Sequence, residues 1–434
     1  MEKQIQMKRI LRYVLTFIAL VAICTLAMVF TAMIPGESIQ PQMEESAEYL
    51  TAHRYHFPYY LIDGVKSSAV DEVADANLLN IAYFLDPEHP LESVMRCDCY
   101  FDIQKQNDFF REAVNTDVQP NMKYYRYWHG ALIFVRPLLQ ILNIRQIYVF
   151  HCFVLSALFL FLLILLFKHS LTAEGISLII SMIAVSLWVV PLCLEFTWMF
   201  LLAFVVSIVS VKLAKEEKYD LFGILFFVTG MITIYLDFFT TETLTILIPL
   251  LLTLRIRKRQ GKEGDGWFAV KCCILWGIGY VSMWAAKWCL ASAVLNTDVT
   301  AAIQSSIEQH TGSAGYSTQT MYLLSVFLKN IYCLVPISYG LTGAVITFVI
   351  VFFFGFLPVC TNRVRLKETI RWQTILLYAF MGMIPYIRYA VIPHHSWYHY
   401  FFTYRAQAAS VLALCFITLE LVELNPRKAV TKNA

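Results

Sequence analysis

Charge is scarce in this sequence. Asp, Glu, Lys and Arg make up 15% of its 434 residues and 58% are hydrophobic, where soluble domains average about 25% and about 45–50%. A chain so apolar finds its solvent in lipid. The net charge is only +3 and no stripe of basic and aromatic residues accompanies it, which excludes nucleic acid as a partner. Low-complexity tracts and useful internal repeats are missing, which removes the simplest sign of an inverted-repeat transporter. No disulfide framework is present: nine of the eleven cysteines lie inside apolar runs, where a thiol behaves as a small hydrophobe. The other two, Cys97 and Cys99, are too close for an easy mutual disulfide and lack the second pair of a zinc site.

What the chain does have is long apolar runs. Ten of them, near 10–34, 146–167, 171–190, 197–213, 219–237, 240–254, 267–292, 337–359, 372–391 and 401–423, are long enough to cross roughly 30 Å of hydrocarbon. The first follows Lys3, Lys8 and Arg9 and is longer than the apolar region of a signal peptide, so it is expected to remain as a span. Ten crossings put both termini on one side. Lys212, Lys215 and Lys218, then Arg255 to Lys262, then Arg363 to Arg371, then Arg427, Lys428 and Lys432 all fall on that side. The connections 191–196, 296–318 and 392–400 hold no Lys or Arg. The positive-inside rule therefore expects both termini in the cytoplasm of a multi-pass protein. The division expected is a first transmembrane helix at 1–34, a helical extracytoplasmic loop at 35–145 that packs on the membrane domain, and a multispan membrane domain at 146–434. Ala131 to Leu142 and Thr320 to Pro336 are read as helices along the outer interface.

Charges near the bilayer cost roughly 2.5–3.5 kcal/mol each at a helix centre, so their placement is informative. Here they crowd toward the outer face. The loop carries Asp71, Glu72 and Asp75; Asp71 and Asp75 are four apart and share a helix face, and the plainer reading is that Asp71 caps an amphipathic helix. Asp237 is flanked by bulky apolar residues, with Lys287 and Arg405 as plausible partners. Arg126 and His129, in Tyr124-Tyr125-Arg126-Tyr127-Trp128-His129-Gly130, suit a headgroup-level site or an aromatic belt. Arg136, within an apolar run, invites a phosphate. Arg388, His395, His399 and Arg405 gather near the last outer connection; the histidines lack a HExxH frame, so hydrogen bonding to a phosphate or sugar is preferred over a metal. Glu195 and Lys329 sit at predicted interfaces, where a solvated head is cheap, and receive no role.

An N-in first span, a large acidic outer loop with interfacial helices, and many further spans together resemble the GT-C superfamily of membrane glycosyltransferases. Asp71-Glu72 followed by Ala76 and Leu78-Leu79 looks like the acidic pair before a helix in the first loop of lipid-linked sugar transferases. Tyr127-Trp128-His129-Gly130 with Arg136-Pro137, Tyr235-Leu236-Asp237-Phe238, and His399 to Arg405 also resemble a group of multispan proteins of Gram-positive bacteria, a likeness that brings no activity with it. One departure matters: the acidic pair lies far from the end of the first span, so Glu37, Glu44 and Glu45 are rivals to Asp71. The resemblance implies an all-α fold of about ten spans in a bacterial cytoplasmic membrane. It implies a polyprenyl-phosphate sugar donor, an envelope glycan or protein acceptor, and inversion at the anomeric carbon. Asp71 or Asp75 would be the general base, with Glu72 and Asp237 beside them. Arg126, His129, Arg136, Lys287, Arg388, His395, His399 and Arg405 would bind substrate. Some members use a divalent cation, and no residue here fixes one. A lipid or sugar transporter and a non-enzymatic envelope-assembly protein are the competing readings.

Overall fold

A computed structural model describes residues 2–52, 60–105, 108–237, 239–298, 319–361 and 364–424, together with Gln304, Glu308 and Thr311. Arg363, Arg427, Lys428, Lys432 and nearly all of the 299–318 connection lie outside the described residues. The described chain is helical apart from three short two-stranded ladders. Among the described residues, eight helices are long and apolar enough to cross a membrane: 6–32, 144–168, 194–215, 219–236, 265–295, 337–360, 372–391 and 400–421. This is the architecture of an all-α, multi-pass membrane protein. The other two expected runs are helical but shorter. Thr172–Ala184 has 13 residues and Leu244–Arg259 has 16, which at 1.5 Å per residue reach only about 20 and 24 Å.

The chain divides into two compact units. The first comprises residues 1–64, 68–165 and 188–312. Its helices are α1 (Glu2–Ala32), α2 (Gln40–Thr51), α3 (Glu72–Tyr83), α4 (Pro90–Arg96), α5 (Asp108–Asn115), α6 (Leu132–Leu138), most of α7 (Ile144–Lys168), α9 (Leu194–Lys215), α10 (Phe222–Leu236), α11 (Leu244–Arg259) and α12 (Asp265–Leu295). One continuous core joins the loop to the membrane helices: Met43 and Leu50 of α2, Leu79 and Ile81 of α3, Phe109 and Phe110 of α5 and Val135 of α6 pack in the same cluster as Met28, Ile234 and Met283. Burying a side chain of this kind contributes about 1.5–3 kcal/mol, so the loop gains its stability from the helices it covers. Trp128 pins it by donating its indole N–H to the Met283 carbonyl at 2.8 Å.

This unit has a basic end and an acidic end. Lys262 meets Glu217 at 2.6 Å, and Gln260 donates to the Ala214 carbonyl at 3.0 Å, so the lysines closing α9 and the arginines closing α11 lie together. Tyr13 of α1 stacks edge-on to Phe227, early in α10, at 5.2 Å. Further along α10, Tyr235 donates to the Cys24 carbonyl at 3.1 Å, so α1 and α10 run side by side in the same direction.

The second unit comprises residues 65–67, 166–187 and 313–434. It holds α8 (Thr172–Ala184), α13 (Gln319–Ile331), α14 (Gly340–Ile350), α15 (Trp372–Val391), α16 (Pro393–Tyr398) and α17 (Ala408–Leu421). Gly382 lets α15 approach α17 closely: Ser410 donates to the Gly382 carbonyl at 2.7 Å, and a Cβ at Gly382 would meet that of Ala413 at 3.1 Å. The basic segment before α15 returns to the end of α17. Val364–Leu366 pairs antiparallel with Val422–Leu424, and Arg365 meets Glu423 at 2.6 Å.

Candidate functional site

The acidic end of the first unit is assembled from three distant segments. Asp71 is the N-cap of α3, with dihedrals outside the helical region and a carboxylate accepting from the Ala74 amide at 2.9 Å. The capping reading and the site reading both apply to it, because the same side chain is buried against Asp75 and Glu72. Burial raises the Asp71 carboxyl to about 7, its backbone hydrogen bonds opposing and Asp75 adding to the rise. Burial and then Asp75 raise Glu72 to about 8. A carboxyl that would ionise near pH 4 in water thus titrates near neutrality here.

Asp75 has a different task. Its carboxylate accepts from the Leu194 amide at 3.0 Å, from the Glu195 amide at 3.4 Å and from the Tyr148 hydroxyl. The Cys193 thiol reaches it at 3.3 Å. Asp75 therefore supplies the negative charge at the start of α9, where the first amides have no intrahelical partner. Burial still raises its carboxyl, to about 6, against the pull of those donors.

Glu195, on the first turn of α9, lies within electrostatic reach of Asp71, Asp75 and Asp237. Asp237 follows α10 with an extended backbone and accepts from the amide and hydroxyl of Thr240. The carboxyl groups of Asp71, Glu72, Asp75, Glu195 and Asp237 thus converge at the end of the unit opposite the lysines of α9, about 33 Å away along that 22-residue helix. Gly130 holds the Asp237 turn in place. Its amide donates to the Tyr235 carbonyl at 2.9 Å, and a Cβ there would stand 2.5 Å from that oxygen. Gly130→Ala is expected to destabilise the protein by about 1–3 kcal/mol, seen as a melting temperature several degrees lower in detergent; an unchanged value would show that the turn yields freely.

Two of the cations named from the sequence, Lys287 and Arg136, are held by backbone carbonyls. Lys287 is not the partner of Asp237: its ammonium donates to the carbonyls of Val94 and Met95 at 2.7 and 3.2 Å, closing the C-terminus of α4. Arg136 is fully buried and ties the end of α1 to the end of α3, donating to the carbonyls of Ile34 and Leu85 at 2.7 and 3.0 Å. It is a staple, although burial lowers its guanidinium only to about 10 and leaves it charged. Arg126 lies over the rings of Tyr124 and Tyr127 at 4.7 and 5.4 Å, the aromatic setting foreseen for it. His129 is buried with a positive φ of 55°, its Nε2 3.0 Å from the Tyr124 carbonyl. Burial lowers its imidazole to about 3, so it is neutral at physiological pH.

In the second unit, Arg388 donates to the Ser396 hydroxyl at 2.9 Å and approaches His395, whose ring is 4.8 Å from that of His399. Arg405 is fully buried, donating to the carbonyls of Phe401 and Ser67 at 3.0 and 3.3 Å. Among the described residues, no group of three or more His, Cys, Asp or Glu side chains has the arrangement to hold a metal ion.

Sequence reasoning missed Glu195, Tyr148 and Cys193. A signal for Glu195 was available, since an acid opening a long apolar run sits where a helix N-terminus favours negative charge. Nothing in the sequence pairs Tyr148 with Asp75. The fold and the site together define a multi-pass helical membrane protein with a buried carboxyl cluster at one end of its first unit. Compared with protein-family models, with curated proteins and with solved structures, the chain matches none.

Proposed function

We propose that the chain is a GT-C-type glycosyltransferase of the bacterial cytoplasmic membrane, moving a sugar from a polyprenyl-phosphate donor to an extracytoplasmic glycan or protein acceptor with inversion. The observation that carries this reading is the Asp71 carboxyl, buried at the start of α3 and raised to about 7. A base is most effective when its pKa lies near the working pH. Asp71 takes the proton of the acceptor hydroxyl as that oxygen bonds to the anomeric carbon; the bond from that carbon to the phosphate oxygen breaks, and the lipid phosphate leaves with the electron pair. Burial, with the neighbouring Asp75 and Glu72 carboxyls adding to it, keeps the base from ionising early.

In this reading the two shorter helices, α8 and α11, also count as crossings, and both termini are cytoplasmic. Support comes from the basic residues gathered at one end of each unit. Purified protein incubated with a labelled sugar on polyprenyl phosphate and with envelope acceptors is expected to yield a labelled acceptor. The raised carboxyls also favour a second reading, proton-coupled transport. Uptake of labelled substrate into sealed vesicles with no covalent product would decide for transport and against transfer.

A further inference from the structure

Lys66 and Lys329 have no role in the site described above; in the second unit Lys66 is exposed and Lys329 half-buried, whereas Arg405 is enclosed. They come from segments 263 residues apart in the chain (329 minus 66) and converge on one aromatic ring. The Lys66 ammonium stands 5.2 Å from the centroid of Tyr400 and that of Lys329 stands 4.9 Å from it. Lys329 also lies 3.3 Å from the centroid of Trp397. Lys66, Lys329 and Arg405 are all near enough to the buried Cys333 thiol for their charges to act on it.

The convergence is built into the fold. Ser67 fixes the backbone beside Lys66: its carbonyl accepts from the Tyr404 hydroxyl at 2.8 Å and from Arg405 at 3.3 Å, and its hydroxyl accepts from Ser338 at 2.9 Å. Asn330 fixes the backbone beside Lys329: it donates to the Ser396 carbonyl at 3.1 Å and accepts from Thr403 at 2.8 Å, while Gln407 donates to its carbonyl at 2.9 Å. Two ammonium groups held over one ring repel each other, and a multiply charged anion between them turns that repulsion into attraction. Three cations from three segments suit a phosphate better than a singly charged carboxylate.

We propose that Lys66 and Lys329 form a phosphate-binding site on the Trp397 and Tyr400 rings, with the enclosed Arg405 adding its field, for a phosphate carried by a lipid headgroup or free in solution. The site is read by binding alone. Its failure leaves sugar transfer open, and failure of transfer leaves the site standing.

The test uses the full chain in phosphatidylcholine nanodiscs, with melting temperature followed as phosphatidic acid, inorganic pyrophosphate or oleate is titrated. Phosphatidic acid, pyrophosphate or both are expected to raise it by several degrees. A response to phosphatidic acid alone assigns a lipid headgroup, and a response to pyrophosphate assigns a soluble phosphate. Lys66→Gln with Lys329→Gln should raise the half-saturating concentration at least tenfold, Lys329→Arg should nearly preserve it, and Lys123→Gln, an exposed lysine of the other unit, should leave it unchanged. No response to either phosphate, an equal response to oleate, or an undiminished response in the double glutamine variant would overturn the proposal.

Discussion

Asp71→Asn is expected to lower sugar transfer at least 100-fold while leaving the protein folded, because a general base contributes roughly 10²- to 10⁴-fold. Asparagine caps a helix about as well as aspartate, so the acceptor for the Ala74 amide at 2.9 Å survives and α3 keeps its start. What is lost is the charge and the ability to take a proton. Asp71→Ala would be a poorer test, since it also removes a cap worth about 1 kcal/mol. Two pH profiles sharpen the result. Transfer by the unaltered protein should rise with pH through about 7, as Asp71 loses its proton. Stability should run the other way: the folded-state value, about 7, lies above the ordinary aspartate value of 3.8, so the folded protein holds the proton over that interval. Stability is then greatest below about pH 4 and falls as pH rises toward 7. Asp71→Asn removes that part of the decline, so its melting temperature should vary less between pH 4 and 8. Undiminished transfer by the asparagine variant would remove Asp71 as the base and leave Glu195, the neighbouring acid on α9, to be tried next.

The legible part of this fold was the part set by one-dimensional patterns. Uninterrupted apolar runs define helices such as α7 and α9 because a helix in lipid satisfies every backbone group internally. The runs at 171–190 and 240–254 misled on length, since α8 stops at Ala184, and Thr240 donates to Asp237 in the turn that precedes α11. The acids of the loop were legible for a similar reason: Asp71 sits where a helix start needs an oxygen, and its depth follows from the apolar residues behind it. Pairings across the chain were not. Arg136 and Lys287 looked like ligand-binding cations because an unpaired charge in an apolar run is costly. Their partners turned out to be backbone carbonyls at helix ends, which carry no signature in the side-chain sequence. Glu195 was discounted as interfacial because its neighbours in space, Asp71, Asp75 and Asp237, are supplied by other segments.

Asp75→Ala is expected to be the most damaging single change to the fold of the first unit, with Asp75→Asn much milder. The alanine variant leaves the Leu194 and Glu195 amides and the Tyr148 hydroxyl without their acceptor, all in the buried junction between α3, α7 and α9. Each buried donor left unsatisfied costs about 1–3 kcal/mol, so the loss should be on the order of 3 kcal/mol or more, read as a sharp fall in folded yield and in melting temperature in detergent. Asparagine keeps one acceptor oxygen and can satisfy Leu194 or Tyr148, so it should retain most of the fold. That difference separates Asp75 from Asp71. If Asp75 only positions α9, its asparagine variant transfers sugar at a rate that tracks its folded fraction. A well-folded Asp75→Asn protein with no transfer would instead move the base from Asp71 to Asp75, with Tyr148 as the group that tunes it. Tyr148→Phe then gives an independent check: removing the hydroxyl that donates to Asp75 should shift the pH profile of transfer upward only if Asp75 is the group that titrates.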